Sequence, residues 1–423
     1  MPRLRLPESL AVLCQRDFRL YWLGQAVSLT GTWAQGMAQS WLVLGLTSSA
    51  FALGVVNFAS AIPTLLLALL GGAAADRLDK RRILLATQVA MLLLALALGV
   101  LVALEWVQYW HVVLIALLLG IAIAYDLPAN QALVPELVER EQIHRAIALN
   151  GAIFHGSRLV GPALAGLVIA VVGLAGGFFL NALSFVAVIA SLLAIRSRGV
   201  PAEAGRGSQV RAILEGPAYV RSQPRIAAML GFTALTAAFV FPNLAIMMPV
   251  YARDVLQVGV AEMGLIMAAS GLGALVGSMA LLGVRRAQQM QRIGQGVVLL
   301  TFSLSALAWV RLFLLALGGV ALLSFGVSIA MGLAATVIQQ QVAPEVRGRV
   351  MGLYSLAFMG VIPFSGLAAT ALADWVGLPA VMQASGLLYG LGALVLFARM
   401  RSARTVSAML PEAEPAPSVA TTR

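Results

Sequence analysis

The chain has 423 residues, 61% of them hydrophobic and 11% charged, with a net charge of +11 and a mean hydropathy of +0.93. A water-soluble chain of this length could not bury so much apolar surface, and its apolar stretches do not alternate as barrel strands do, which leaves membrane-spanning helices. The single cysteine, Cys14, excludes an intramolecular disulfide, and His111, His144 and His155 are too scattered for a metal site, so no metal and no cofactor are expected.

The N-terminus, from Met1 to Arg19, is polar and basic and has no signal-peptide core, so the first helix is expected to act as its own insertion signal. Apolar runs of bilayer length then predict twelve helices, at 20–45, 50–75, 83–104, 111–132, 146–170, 175–195, 226–252, 259–283, 294–310, 312–337, 350–372 and 380–398. An even number puts both termini on one side. The spans divide the chain into a six-helix bundle over 1–198, a linker over 199–225, a second bundle over 226–401 and a disordered tail over 402–423. The expected fold is an all-α membrane protein of two pseudo-symmetric six-helix bundles.

Lysine and arginine bias sets orientation. Of 28 such residues, only Arg253 and Arg311 fall in the loops opposite the termini and Arg158 falls inside a helix, leaving 25 on the terminal side. That side is expected to be cytoplasmic. The basic excess is thus used up by membrane orientation, and nucleic acid is not expected as a partner.

The halves repeat. Pro135-Glu136 before helix 5 recurs as Pro344-Glu345 before helix 11, 209 residues later. The same step carries Asp76 to Arg285, and Gly54 recurs as Gly264 at a step of 210. The charged loop Gly72-Ala-Ala-Ala-Asp76-Arg77-Leu-Asp79-Lys80-Arg81-Arg82 between helices 2 and 3 resembles the corresponding loop of the major facilitator superfamily, with Asp79 where that family has glycine. Stretches such as Arg16-Asp-Phe-Arg-Leu-Tyr-Trp-Leu-Gly-Gln25, Ala129-Asn-Gln-Ala-Leu-Val-Pro-Glu-Leu137 and Arg158-Leu-Val-Gly-Pro-Ala163 resemble its enterobactin-exporter-like, transmembrane secretion effector branch. Parallel repeats with a midplane site between them are a known feature of the superfamily.

The resemblance implies that helices 1, 4, 7 and 10 line a central cavity. Helix 1 carries Gln25, Ser28, Thr32, Gln35 and Gln39 at steps of three and four, a polar stripe on one helical face that lipid tails cannot satisfy. It is read either as cavity wall or as interhelical packing. Helix 7 offers Thr233, Thr236 and Asn243, with Phe239 and Met247 as an apolar wall. Substrate is expected to touch Gln35, Gln39 and Asn243 first. Asp126 on helix 4 and His155 and Arg158 on helix 5 are intramembrane ionisable groups, and such groups tend to pair. Asp126 is expected to pair with Arg158 or His155, as a proton-linked switch or as a structural ion pair, the remaining alternative being a carboxylate near enough to the interface to be solvated. Ser157, Gly161, Pro162 and Gly166 resemble the Gly-Pro motif of antiporters, which implies export, although close helix packing is the plain alternative. The resemblance also implies that Gly72, Asp76, Arg77, Lys80 and Arg81 form a gating loop, with Asp76 at the N-terminus of helix 11 near Arg347 or Arg349.

No nucleophile–base arrangement, phosphate loop or ATP-binding domain is found, so the chain is not expected to be an enzyme and is expected to draw on a gradient. The function expected is export of a siderophore- or drug-like small molecule across a bacterial inner membrane by proton antiport, with lipids as surroundings and a monomer as the unit. An importer or uniporter on the same fold, or a non-transporting sensor, is the alternative.

Overall fold

The computed structural model describes residues 8–196 and 217–409. Twelve spans are present. We number them α1 (Arg16–Thr47), α2 (Ala50–Arg77), α3 (Lys80–Ala103), α4 (Tyr109–Leu133), α5 (Ile143–Val172), α6 (Leu174–Ala194), α7 (from Pro224), α8 (Val260–Ala280), α9 (Gln289–Leu307), α10 (Phe313–Gln341), α11 (Pro344–Met359 and Ile362–Val376) and α12 (Leu378–Met409). Among the described residues there is no strand. Ten of the spans are long and apolar enough to cross a membrane on composition alone; α1 and α9 are not, because glutamines and other polar residues dilute them.

Several boundaries differ from expectation. The last helix runs to Met409, past the boundary at 401, while residues 410–423 of the expected tail and 197–216 of the expected linker lie outside the described residues. α11 breaks at Gly360-Val361, just before Pro363, whose ring nitrogen cannot donate four residues back. α7 is α-helical only to Leu235 and then passes through wide π-helical turns at Thr236–Val240, Pro242–Ile246 and Tyr251–Val255. Pro242 and Pro249 lack the N–H that a regular helix needs, and the backbone widens to bonds such as Met247 N to Pro242 O, 2.9 Å.

One end of the molecule carries Arg16, the Asp76–Arg82 loop and Arg347; we call it the basic face and its opposite the far face. Glycines set how closely the helices approach within each half. A side chain at Gly71 or Gly120 would collide with the α4 or α2 backbone, at Ala124 and Ser60. Gly273 does the same for α8 against Ala321 of α10, the equivalent pair in the second half. The α1–α6 contact of the first half is polar, with Asn181 Nδ2 donating to Gln35 Oε1 at 2.7 Å. Its counterpart α7–α12 has one side-chain hydrogen bond among the described residues, Thr236 Oγ1 to Tyr389 OH at 3.4 Å, and is otherwise apolar.

Candidate functional site: the space between the two halves

The halves touch mainly along two seams in the far half of the bilayer span, with a smaller contact of α1 on the end of α7 beside them. In the first, α2 packs on the second segment of α11: Gly54 lies against Thr370, and the Phe58 and Phe364 rings meet edge to face at 5.5 Å. In the second, α5 packs on α8. A side chain at Gly264 would stand 2.7 Å from Pro162 O, one at Gly271 would stand 2.7 Å from Leu159 Cα, and Gly166 faces Ala261 at 3.2 Å. Gly54 and Gly264, repeat landmarks in the sequence, are therefore equivalent points of closure. Toward the basic face the seams stop. A side chain at Gly151, Gly156, Gly348 or Gly352 would meet nothing within 4 Å.

At the far end the first seam is locked by Asp374, at the end of α11. Its carboxylate accepts from Ala50 N at 2.7 Å, Phe51 N at 3.0 Å and Ser49 Oγ at 2.5 Å, so it caps the N-terminus of α2 from across the halves. Arg253 Nη1 donates to Leu44 O of α1 beside it. Only the Ser-Ser-Ala start of α2 could have signalled this site in sequence, and its partner is 325 residues away. Asp374 is exposed, so its bonds are screened. Replacing it with alanine is expected to weaken far-face closure by about 1 kcal/mol, a roughly fivefold population shift. Spin-label distances between the far ends of α2 and α11 would report it.

The polar stripe of α1 faces protein, not lipid, but most of it serves packing. Gln25 Nε2 donates to Tyr21 OH at 2.7 Å, Gln35 is held by Asn181, and Ser184 Oγ reaches Ser28 O at 3.5 Å. Gln25, Ser28 and Gln35 are buried. Thr32 and Gly36 are exposed on the side of α1 away from lipid-facing Leu23 and Val27, and Gln39 is half-buried, so these three bound the space. On α7, Thr233, Thr236, Asn243 and Met247 are buried in the second half, and only Phe239 is half-exposed. Gln35 and Asn243, expected to meet substrate first, are thus buried in packing, whereas Gln39 and Phe239 are half-exposed and Thr32 is exposed. The π-helical turns rotate α7 off the regular period on which that expectation was built.

The expected ion pair is absent. Asp126 Oδ1 accepts from Thr87 Oγ1 at 2.7 Å and Gln88 Nε2 at 2.9 Å, both on α3. Arg158 points the other way, across to the second half: Nη2 donates to Ser270 Oγ of α8 at 3.3 Å, and the guanidinium lies 5.8 Å from the Trp33 ring centroid. His155 Nδ1 is buried without a partner, beside the Phe154 ring. The reason is topological. α4 and α5 are consecutive but not neighbours; α4 packs on α2 and α3, and α5 on α1 and α8.

The helix-5 motif is used in packing. Ser157 Oγ accepts from Thr30 Oγ1 at 3.1 Å, and Gly161 lets α1 approach at Thr30 and Trp33. Gly166 and the Pro162 carbonyl form the α8 contact. In the charged loop, Asp79 accepts from Arg81 N at 2.9 Å and Arg82 N at 3.3 Å, capping α3 at an ordinary φ of −63°. The aspartate thus does a cap's work where the family's glycine supplies a turn. Buried Lys80 pairs with Glu136 at 2.8 Å, and Arg81 Nη2 donates to Leu193 O at 2.8 Å. Asp76 and Arg77 are exposed, Gly72 is half-buried, and among the described residues Asp76 makes no ion pair with Arg347 or Arg349.

Two six-helix halves, sealed against each other at one end and parted at the other around a partly polar space, define a secondary transporter of the major facilitator class. Within it the chain belongs to the transmembrane secretion effector family, whose pattern matches residues 8–422. It is 26% identical over 371 residues to the multidrug efflux pump Tap of Mycolicibacterium fortuitum, covering 85% of this chain and 90% of that protein. It is 31% identical over 188 residues to the staphyloferrin A transporter of Staphylococcus aureus, a match spanning 44% of this chain and 47% of the relative. A bacterial homologue of the lysosomal transporter Spinster, crystallised inward-facing and unoccupied, superimposes with a TM-score of 0.70 at 14% identity, covering 92% of this chain and 98% of that one.

Proposed function

We propose that this chain exports a small organic molecule, siderophore- or drug-like, across the bacterial cytoplasmic membrane in exchange for protons. The basic face is cytoplasmic, because 25 of 28 lysines and arginines lie on it or in the segments that end there. Residues 1–198 rock against 226–401 about the midplane. The observation that carries this reading is the placement of both seams in the far half alone: the space then opens to the cytoplasm, where an exporter loads. The name of the multidrug efflux pump supports export, and that of the staphyloferrin A transporter supports a small organic cargo. Substrate lies between Thr32 and Gln39 of α1 and Phe239 of α7, and Asp126 carries the proton. The chain works as a monomer among lipids and catalyses no covalent chemistry.

Reconstituted vesicles with an imposed pH gradient test it. Antiport requires opposite proton and substrate fluxes; co-directional fluxes identify an importer, and flux indifferent to pH a uniporter. The alternate state would be latched by Asp76 at the N-terminus of α11. Replacing Asp76 with asparagine is expected to slow transport about fivefold to tenfold while membrane insertion is unchanged. Normal vesicle rates for that variant would refute the latch.

A further inference from the structure

We propose that Arg158 is the recognition point for a carboxylate on the transported molecule. The inference rests on the exporter reading and names the chemistry of its cargo.

Arg158 is a cation within the membrane span, and the carboxylate expected to neutralise it is bonded elsewhere, to Thr87 and Gln88. No carboxylate lies within ion-pair distance of it among the described residues. Its one hydrogen bond among the described residues is to a hydroxyl, Ser270 Oγ at 3.3 Å, and that hydroxyl is itself held by Ser324 of α10 at 2.8 Å. A guanidinium has five N–H donors. The remaining donors of Arg158 are not among the sealed, partnerless polar atoms of the protein, so they open onto space.

The position fits a ligand rather than a packing element. The α5–α8 seam ends at Arg158 and Ser270. One residue toward the far face, Leu159 is wedged against Gly271; toward the basic face, Gly156 and Gly151 face nothing within 4 Å. The guanidinium thus stands at the closed end of the space between the halves, touching both. Trp33 supports it from the α1 side, and the partnerless His155 Nδ1 lies one turn nearer the opening on the same helix.

An unpaired charge in a low-dielectric span is costly, and a fixed planar fork matches a carboxylate through two parallel bonds. Buried Ser270, held by Ser324, steadies the guanidinium from the second half, so an acid bound to Arg158 would couple the two bodies that rock.

The test uses the full chain in nanodiscs, with citrate and succinate as acidic probes, trimethyl citrate as a neutral one and tetraphenylphosphonium as a cationic one, read by thermal shift and calorimetry. Wild type should bind an acidic probe and not the ester. Arg158→Gln should weaken that binding about tenfold to a hundredfold, Arg158→Lys should retain part of it, and Ser270→Ala should cost a few-fold. Circular dichroism and gel filtration confirm that each variant is folded; if Arg158→Gln is not, Arg158→Lys and Ser270→Ala carry the comparison. Equal binding by acid and ester, acid binding untouched in the folded variants, or no acid binding to wild type overturns the proposal. Vesicle flux of a neutral or cationic compound that ignores Arg158→Gln overturns it and leaves the exporter reading intact. Arg158-dependent acid binding with no flux of any compound supports it and defeats the exporter reading.

Discussion

Asp126→Asn is expected to abolish uphill transport, by about 100-fold, while downhill exchange of substrate across the same vesicles continues. The side chain sits between α4 and α3 with only neutral partners, Thr87 Oγ1 and Gln88 Nε2, both donating to Oδ1. Asparagine has the same shape, and its Oδ1 accepts both bonds, so packing is preserved. What it cannot do is take up and release a proton. Helix α1 carries no carboxylate beyond Asp17 at its first turn, which leaves Asp126 as the acid within the first half's span. Measuring concentrative flux under a pH gradient beside counterflow without one separates the two roles. Equal loss of both would make Asp126 a structural residue, and loss of neither would remove it from the mechanism.

Gly264→Val is expected to hold the far-face seam open. A β-carbon there would lie 2.7 Å from the Pro162 carbonyl oxygen, a backbone atom that cannot swing aside, and 3.3 Å from Gly166 Cα. Overpacking of this kind costs about 1–3 kcal/mol, borne by the closed state alone, and so shifts the balance of states by roughly 5- to 150-fold. The protein should still insert, because α8 keeps its length and hydropathy. A thiol placed at Ala261 in a background lacking Cys14 should become reactive to a membrane-impermeant maleimide from the far side, and transport should fall about tenfold or more. If Ala261 stays protected in the valine variant, the α5–α8 contact is not a moving seam.

Much of the fold was legible because lipid imposes few alternatives. Apolar runs of bilayer length, the arginine bias and the Pro-Glu repeat each depend on local sequence, and all twelve spans stand where those signals fell. Gly54 and Gly264 could be paired as repeats, though not recognised as closure points, since a glycine's partner is never local. The site was less legible. Periodicity shows that Gln25, Ser28 and Gln35 share a face but not what meets it; only the fold shows that α6 brings Asn181 and Ser184 to them. Asp126 does not meet Arg158 because helices adjacent in sequence need not be adjacent in space, and α1, not α4, stands beside α5. The π-helical turns of α7 escaped a fixed 3.6-residue period, although Pro242 and Pro249 marked the stretch.

The unequal glue inside the two bundles has a consequence for handling the protein. Side-chain hydrogen bonds join α1 to α6, whereas among the described residues α7 meets α12 through shape and a single long hydroxyl contact. Hydrocarbon tails solvate apolar side chains as well as neighbouring helices do, so shape carries most of the α7–α12 contact in a bilayer, while the α8–α10 and α7–α11 contacts keep hydrogen bonds of their own. Short-chain surfactants, which wedge between helices more readily than lipids, should therefore part α12 from α7 before they part α6 from α1.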